Sequence, residues 1–151
     1  EAAGRGGSAA IHATWKIGTR LALDHLDNIY LLHNIGGPAV LIAGGIGITP
    51  IKAMAQELKT SGTPFELHYS GRTATDMAYR DRLAIELPGQ IHLYFTRTPG
   101  GIRLDLKAIM EAAAPDAMFY ICGPARLIEA GRKVADDLAI PAGRVQYESF
   151  D

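Results

Sequence analysis

From residue 39 onward the chain keeps a single beat, in which a short apolar run, a turn and an amphipathic stretch lead to the next apolar run. "AVLIAG" (39–44) is too compact for a helix and reads as a buried strand. "IKAMAQELK" follows, with Ile51, Met54, Ala55 and Leu58 on one helical face. The turn Ser61-Gly62-Thr63-Pro64 introduces a second strand, "PFELHYS". "TDMAYRDRLA" predicts a helix with Asp76 near its start, where negative charge suits the helix dipole. "QIHLYFT" is a third strand, rich in β-favouring residues, and "LDLKAIMEAAA" a helix with Leu106, Ile109, Met110 and Ala113 on one face. "AMFYICG" is a fourth strand, "ARLIEAGRKVADDLA" a fourth helix with Leu127, Val134, Ala135 and Leu138 inward, and "RVQYESF" a fifth strand. The connections are too long for hairpins between neighbouring strands. Strands joined in this way are parallel and carry helices on both faces. The fold class expected for residues 39–151 is therefore α/β, a five-stranded parallel doubly wound sheet.

Residues 1–38 do not share the beat. They open on a Gly-rich turn, offer a short helical stretch near 8–15 and a strand-like "RLALD" (20–24), and end in the linker-like Asn34-Ile35-Gly36-Gly37-Pro38. So short a piece cannot bury a core of its own and is expected to be the tail of another domain.

Composition narrows the function classes. The formal net charge of -1 over 151 residues argues against a nucleic-acid surface, since phosphate binding wants a concentrated basic face. No apolar run approaches the ~20 residues that cross a bilayer. One cysteine, Cys122, excludes an internal disulfide and any four-cysteine metal or cluster site in this chain, and makes a reducing cytoplasm the expected location. His12, His25, His33, His68 and His92 lack metal-ligand spacing and read as structural or surface residues, so no metal site is expected.

The stretch with the clearest chemical content is "LIAGGIGITP" (41–50), where a strand ends in glycines just before a helix. Gly44, Gly45 and Gly47 lack a Cβ, so a ligand can lie against the main chain and positive φ costs little. Thr49 suits an N-cap and Pro50 the first helical position. A helix starting there presents N–H groups and a positive dipole end to a pyrophosphate. The stretch is not a Walker A loop, which ends in Gly-Lys-Ser/Thr. It also departs from G-x-G-x-x-G, since Pro50 takes the last glycine's place. The second strand ends in Tyr69-Ser70-Gly71-Arg72-Thr73 without the acid of that fingerprint. Arg72 and Thr73 serve either an adenosine end or a solvated turn, and the glycines serve either a ligand or tight packing alone.

Four stretches taken in order resemble the ferredoxin–NADP reductase superfamily, and within it the phthalate dioxygenase reductase type that includes vanillate demethylase reductases. These are "GRGGSAAIH", "LIAGGIGITPI", "YICGPARLIEA" and "VQYESF". The resemblance implies a flavoprotein in which NADH gives hydride to FMN. Electrons then pass through a [2Fe–2S] ferredoxin domain, absent from this chain, to an oxygenase partner. It implies that Gly6, Gly7 and Ser8 contact the flavin phosphate. Gly44, Gly45, Gly47, Ile48, Thr49 and Pro50 form the pyrophosphate turn, and Arg72 and Thr73 stand at the adenosine end. Cys122 would lie near nicotinamide C4, with Gly123 and Pro124 shaping its turn, and Glu148 and Phe150 would sit beside the isoalloxazine. On the same footing residues 1–38 are the end of a flavin-binding barrel and its linker. The Arg-x-Tyr-Ser flavin strand of the family has no counterpart here, and of its Pro-Arg-Asn segment only Asn28 is kept, after His25-Leu26-Asp27. NADPH in place of NADH, and FAD in place of FMN, stay open. A stand-alone nucleotide-binding domain without flavin is the alternative. Without the family, Cys122 reads as a small buried hydrophobe, Phe150 as core and Ser8 as a helix N-cap or a phosphate ligand in equal measure.

Overall fold

The computed structural model describes residues 6–22, 24–25, 27–33 and 37–150. Five strands form one sheet: β1 (Ala39–Gly44), β2 (Phe65–Gly71), β3 (Ile91–Phe95), β4 (Met118–Gly123) and β5 (Val145–Ser149). All pair in parallel, in the spatial order β3-β2-β1-β4-β5. The helices are α1 (Gly7–Thr14), α2 (Ile48–Ser61), α3 (Arg80–Glu86), α4 (Leu106–Ala112) and α5 (Ala125–Asp137). The five-stranded α/β class expected from the strand–helix beat is the one observed.

Strand alternation splits the buried side chains into two cores. Leu41, Ala43, Leu67, Tyr69, Tyr120 and Cys122 face α2 and α3, where Ile51, Met54, Ala55, Leu58 and Leu83 complete the layer. Val40, Ile42, Phe119, Ile121 and Val145 face α4 and α5, against Leu106, Met110 and Ala135. The central strands β1 and β4 are buried at every position, because both their faces are covered. Each fully buried Leu or Ile on them contributes about 1.5–3 kcal/mol relative to exposure. Gly62, at φ +73, closes α2, and the Asp105 carboxylate accepts the Ala108 N–H at 3.0 Å to start α4.

Two local expectations change. The helix expected over 75–84 begins only at Arg80: Ala74–Asp76 is a 3₁₀ turn, Met77 is extended and Tyr79 enters α3 at φ 59. Met77 is buried, and it fills the space a Gly71 side chain would take, since a Cβ there would lie 2.3 Å from Met77 Cγ. Asp76 accepts the Thr73 hydroxyl at 2.7 Å and so closes a turn rather than opening a helix. The strand expected at 20–24 is not formed by residues 20–22 and 24, which pair with no strand among the described residues; Leu23 lies outside them. The expected linker residues Asn34, Ile35 and Gly36 lie outside them too.

In the N-terminal part α1 has no buried residue. Tyr30, by contrast, docks on the sheet: its ring meets that of Tyr120 edge-on at 6.2 Å, and the His33 N–H donates to the Tyr120 hydroxyl at 2.8 Å.

Candidate functional site

The sheet order reverses between β1 and β4, the place where open α/β sheets leave a crevice beyond their strand ends. Two turns meet there, one leaving β1 and one leaving β4. Gly45–Gly47 forms a 3₁₀ turn that runs directly into α2. Thr49 and Pro50 are consequently the second and third residues of α2 rather than its N-cap and first residue. The 3₁₀ turn has already bent the chain into helical form, and the Ile48 N–H is engaged by the Gly45 and Ile46 carbonyls. The Thr49 hydroxyl donates back to the Ile46 carbonyl at 3.0 Å. Pro50 stays within the first turn, where an N–H has no intrahelical partner to lose.

The glycines divide by what surrounds them. A Cβ on Gly47 would lie 2.2 Å from the Cys122 carbonyl oxygen and 2.7 Å from the Gly123 nitrogen. One on Gly44 would lie 2.7 Å from Leu127 Cδ2 and 3.1 Å from Pro124 Cδ, and one on Gly123 would lie 3.1 Å from Gly44 Cα. These three glycines let the two turns close on each other, Gly47 against the main chain at Cys122 and Gly123, and Gly44 and Gly123 against one another and the Leu127 side chain. Gly45 differs: its φ is +56, and a Cβ there would meet nothing within 4 Å. It presents bare main chain to open space beside Ile46, whose side chain is 63% exposed.

On the β4 side, Cys122 has no exposed surface and pairs in register with Ala43 and Glu148. Burial, and then the Glu148 carboxylate, push its thiol up to about 12, so the sulfur is protonated and apolar in character at neutral pH. The Tyr30 phenol lies close to both groups and is pushed far above its ordinary value, by burial first and then by Cys122 and Glu148. Sequence reasoning missed Tyr30. A lone tyrosine in an irregular segment carries no periodic signal, and its place appears only once the segment lies on β4. Glu148 is half-buried within β5, and Phe150, just beyond that strand, is 53% exposed rather than core. Pro124 precedes α5 and its carbonyl accepts the Leu127 N–H at 2.8 Å.

Arg72 and Thr73 follow the end of β2. Arg72 is exposed, and its carbonyl accepts the Arg97 N–H at 2.9 Å. An open depression of about 410 Å³ lies alongside, lined by Ala74, Thr75, Met77, Tyr79 and Arg80 among others. Gly6, Gly7 and Ser8 begin α1. Gly6, at φ +87, caps the helix and the chain turns helical at Gly7, so Ser8 lies inside the first turn and is not the N-cap. These three residues are exposed.

Residues 41–133 match the family described as the oxidoreductase NAD-binding domain. The chain belongs to that family. This NAD-binding oxidoreductase domain is 38% identical to tetrachlorobenzoquinone reductase of Sphingobium chlorophenolicum, over 97% of its length and 45% of the relative's. It is 38% identical to vanillate O-demethylase oxidoreductase of Acinetobacter baylyi (strain ATCC 33305 / BD413 / ADP1), over 83% and 39% of the two chains. The crystallographically known phthalate dioxygenase reductase superposes on it with a TM-score of 0.73 at 31% identity, over 82% of this chain and 39% of that one. The chain thus spans under half the length of these relatives. A nicotinamide nucleotide is the ligand class of the family, and the switch-point turns fit it. They expose bare main chain at Gly45 at the head of a 14-residue helix, while Gly44, Gly47 and Gly123 hold the turns rigid.

Proposed function

We propose that this domain is the nucleotide-binding end of an NADH-dependent, FMN-containing reductase that serves an oxygenase. The observation that carries the reading is the division of labour among the glycines. Three are consumed by the interlock of the β1 and β4 turns, and Gly45 alone opens its backbone outward at the switch point. When bound, the nicotinamide and flavin supply hydride chemistry, and what falls to this chain is holding and drying the two rings.

In this proposal the main chain at Gly45 and the first turn of α2 (Ile48, Thr49, Pro50) hold the pyrophosphate, and Gly47 fixes that turn against β4. Gly44 supports them from beneath. Arg72 and Thr73 take the adenosine end, beside the depression beyond β2. Cys122 is a neutral, unhydrated floor under the nicotinamide, fixed by Gly123 and Pro124, and its high thiol pKa suits packing rather than nucleophilic work. Glu148 and the exposed Phe150 face the flavin, with Phe150 excluding water. Gly6, Gly7 and Ser8 contact the flavin phosphate, and residues 1–38 belong to the flavin-binding unit while 39–151 form the nucleotide domain. The [2Fe–2S] carrier and the oxygenase partner are inferred from relatives named for such systems, among them the phthalate dioxygenase reductase described as moving electrons from pyridine nucleotides to [2Fe-2S]. NADH is preferred to NADPH on that likeness.

A second reading, a nucleotide-binding domain that works without flavin, draws support from the two complete cores on either side of the sheet. An anaerobic visible spectrum of the whole natural protein, before and after NADH, separates the two. A flavin band that bleaches on NADH is the expected result. A colourless protein that still binds NADH overturns the flavin half of the proposal and leaves the second reading.

A further inference from the structure

The sheet face turned toward α4 and α5 carries a polar cluster on β2 and β3. The parallel register sets His68 opposite His92, and the two-residue period puts Glu66 on the same face as His68, and Tyr94 on the same face as His92. The imidazoles of His68 and His92 stack with centroids 4.8 Å apart and planes 14° from parallel. The donor atoms of Glu66, His68 and His92 all lie within 4.8 Å of one another. His68 is 5% exposed, whereas Glu66 and His92 are exposed.

The two ring nitrogens of His68 have different surroundings. Nδ1 is 2.9 Å from the Tyr94 hydroxyl. Nε2 is buried and lies 3.3 Å from Glu66 Oε2, within ion-pair distance but outside well-aligned hydrogen-bond geometry. So poorly aligned a contact leaves part of the cost of burying the nitrogen, about 1–3 kcal/mol for an unsatisfied group, uncompensated. A cation between the two atoms removes that cost. Nitrogen and oxygen ligands about 2.0–2.2 Å from a tetrahedral ion stand about 3.3–3.5 Å apart. The observed spacing of Nε2 and Oε2, 3.3 Å, falls in that range.

We propose that Glu66, His68 and His92 bind a divalent transition-metal ion of the zinc type, with solvent at the fourth position. Imidazole donors select such an ion over calcium or magnesium. Tyr94, through Nδ1, is the orienting partner that metal-bound histidines require on their other nitrogen. Two stacked rings cannot both aim lone pairs at one ion, so the exposed His92 turns about its ring axis on binding while the buried His68 stays fixed. The bound ion ties the edge strand β3 to β2. None of this depends on the nucleotide reading.

The test is Zn²⁺ titration of the intact chain against a chromogenic chelator, with Co²⁺ as a spectroscopic substitute. Expected are one Zn²⁺ per chain, the strong visible absorption of four-coordinate Co²⁺, and a higher Tm with Zn²⁺. His92→Ala and Glu66→Gln, both at exposed positions, weaken binding at least about tenfold, and Tyr94→Phe weakens it roughly 10–100-fold. Circular dichroism of each metal-free variant shows that it is folded, and His12→Ala leaves uptake unchanged. No uptake by the native chain, or uptake that persists at full strength in the folded His92→Ala and Glu66→Gln variants, overturns the proposal.

Discussion

Gly45→Ala and Gly47→Ala place the same methyl group two residues apart in one turn, and the structure demands opposite outcomes. At Gly45 the new Cβ meets nothing within 4 Å, and the cost is the left-handed φ of +56 alone. That is about 1 kcal/mol for an L-residue, or a fall in Tm of roughly 2–4 °C in a domain of this size. At Gly47 the Cβ would stand 2.2 Å from a carbonyl oxygen and 2.4 Å from its carbon, both main-chain atoms at Cys122 that no rotamer can move aside. Relief needs about 1 Å of separation between the β1 and β4 turns, which puts the cost at about 3 kcal/mol or more, the upper end for overpacking. NADH binding separates the two variants again. Gly45→Ala, nearly native in stability, loses about tenfold in affinity, about 1.4 kcal/mol, because its methyl occupies the face offered to the ligand. Thermal unfolding and an equilibrium NADH titration on the two variants suffice. A Gly47→Ala protein as stable as Gly45→Ala would refute the interlock, and native NADH affinity in Gly45→Ala would refute the open face.

The buried Cys122 thiol should resist Ellman's reagent in the native chain at neutral pH and react only at the rate of unfolding, so prompt stoichiometric reaction would contradict its placement. Its pKa is raised in the fold from 9.0 to about 12, and that of Tyr69 is raised by burial from 10.0 to about 12. The unfolded chain therefore loses these protons first: stability is intact below about pH 9 and falls as pH rises toward 12, by up to ~1.4 kcal/mol per pH unit for each group. Denaturant unfolding at about pH 8 and about pH 10 should show that loss, and Cys122→Ala should reduce it. Tyr30→Ala opens a cavity over β4 and should cost about 3–5 kcal/mol; an unchanged denaturation midpoint would mean that the 30–33 segment does not dock there.

The strand–helix beat was legible because parallel strands covered on both faces are continuous apolar runs, as β1 and β4 are. The glycine turn was legible as a place of close approach. Which glycine approaches what was not, because Gly44 and Gly47 answer to Leu127, Cys122 and Gly123, which are near only after folding. The start of α2 lies ahead of where its residue types point for a related reason: a 3₁₀ turn ahead of a helix leaves no mark in residue type, so Thr49 reads as a cap. The α3 boundary is not legible in the sequence because Met77 is drawn down against Gly71, a tertiary contact that overrides local propensity. Glu66, His68 and His92 have no metal-like spacing along the chain, and only the β2–β3 register brings them together.

The central claim is that the interlocked turns bind a nicotinamide dinucleotide at Gly45. Its most direct test is an amide ¹H–¹⁵N NMR titration of the chain with NADH. Saturable shifts concentrated at residues 44–50, 71–73 and 122–124, weakened by Gly45→Ala, are predicted. No shifts at millimolar NADH, or shifts confined to other parts of the sheet, would contradict it.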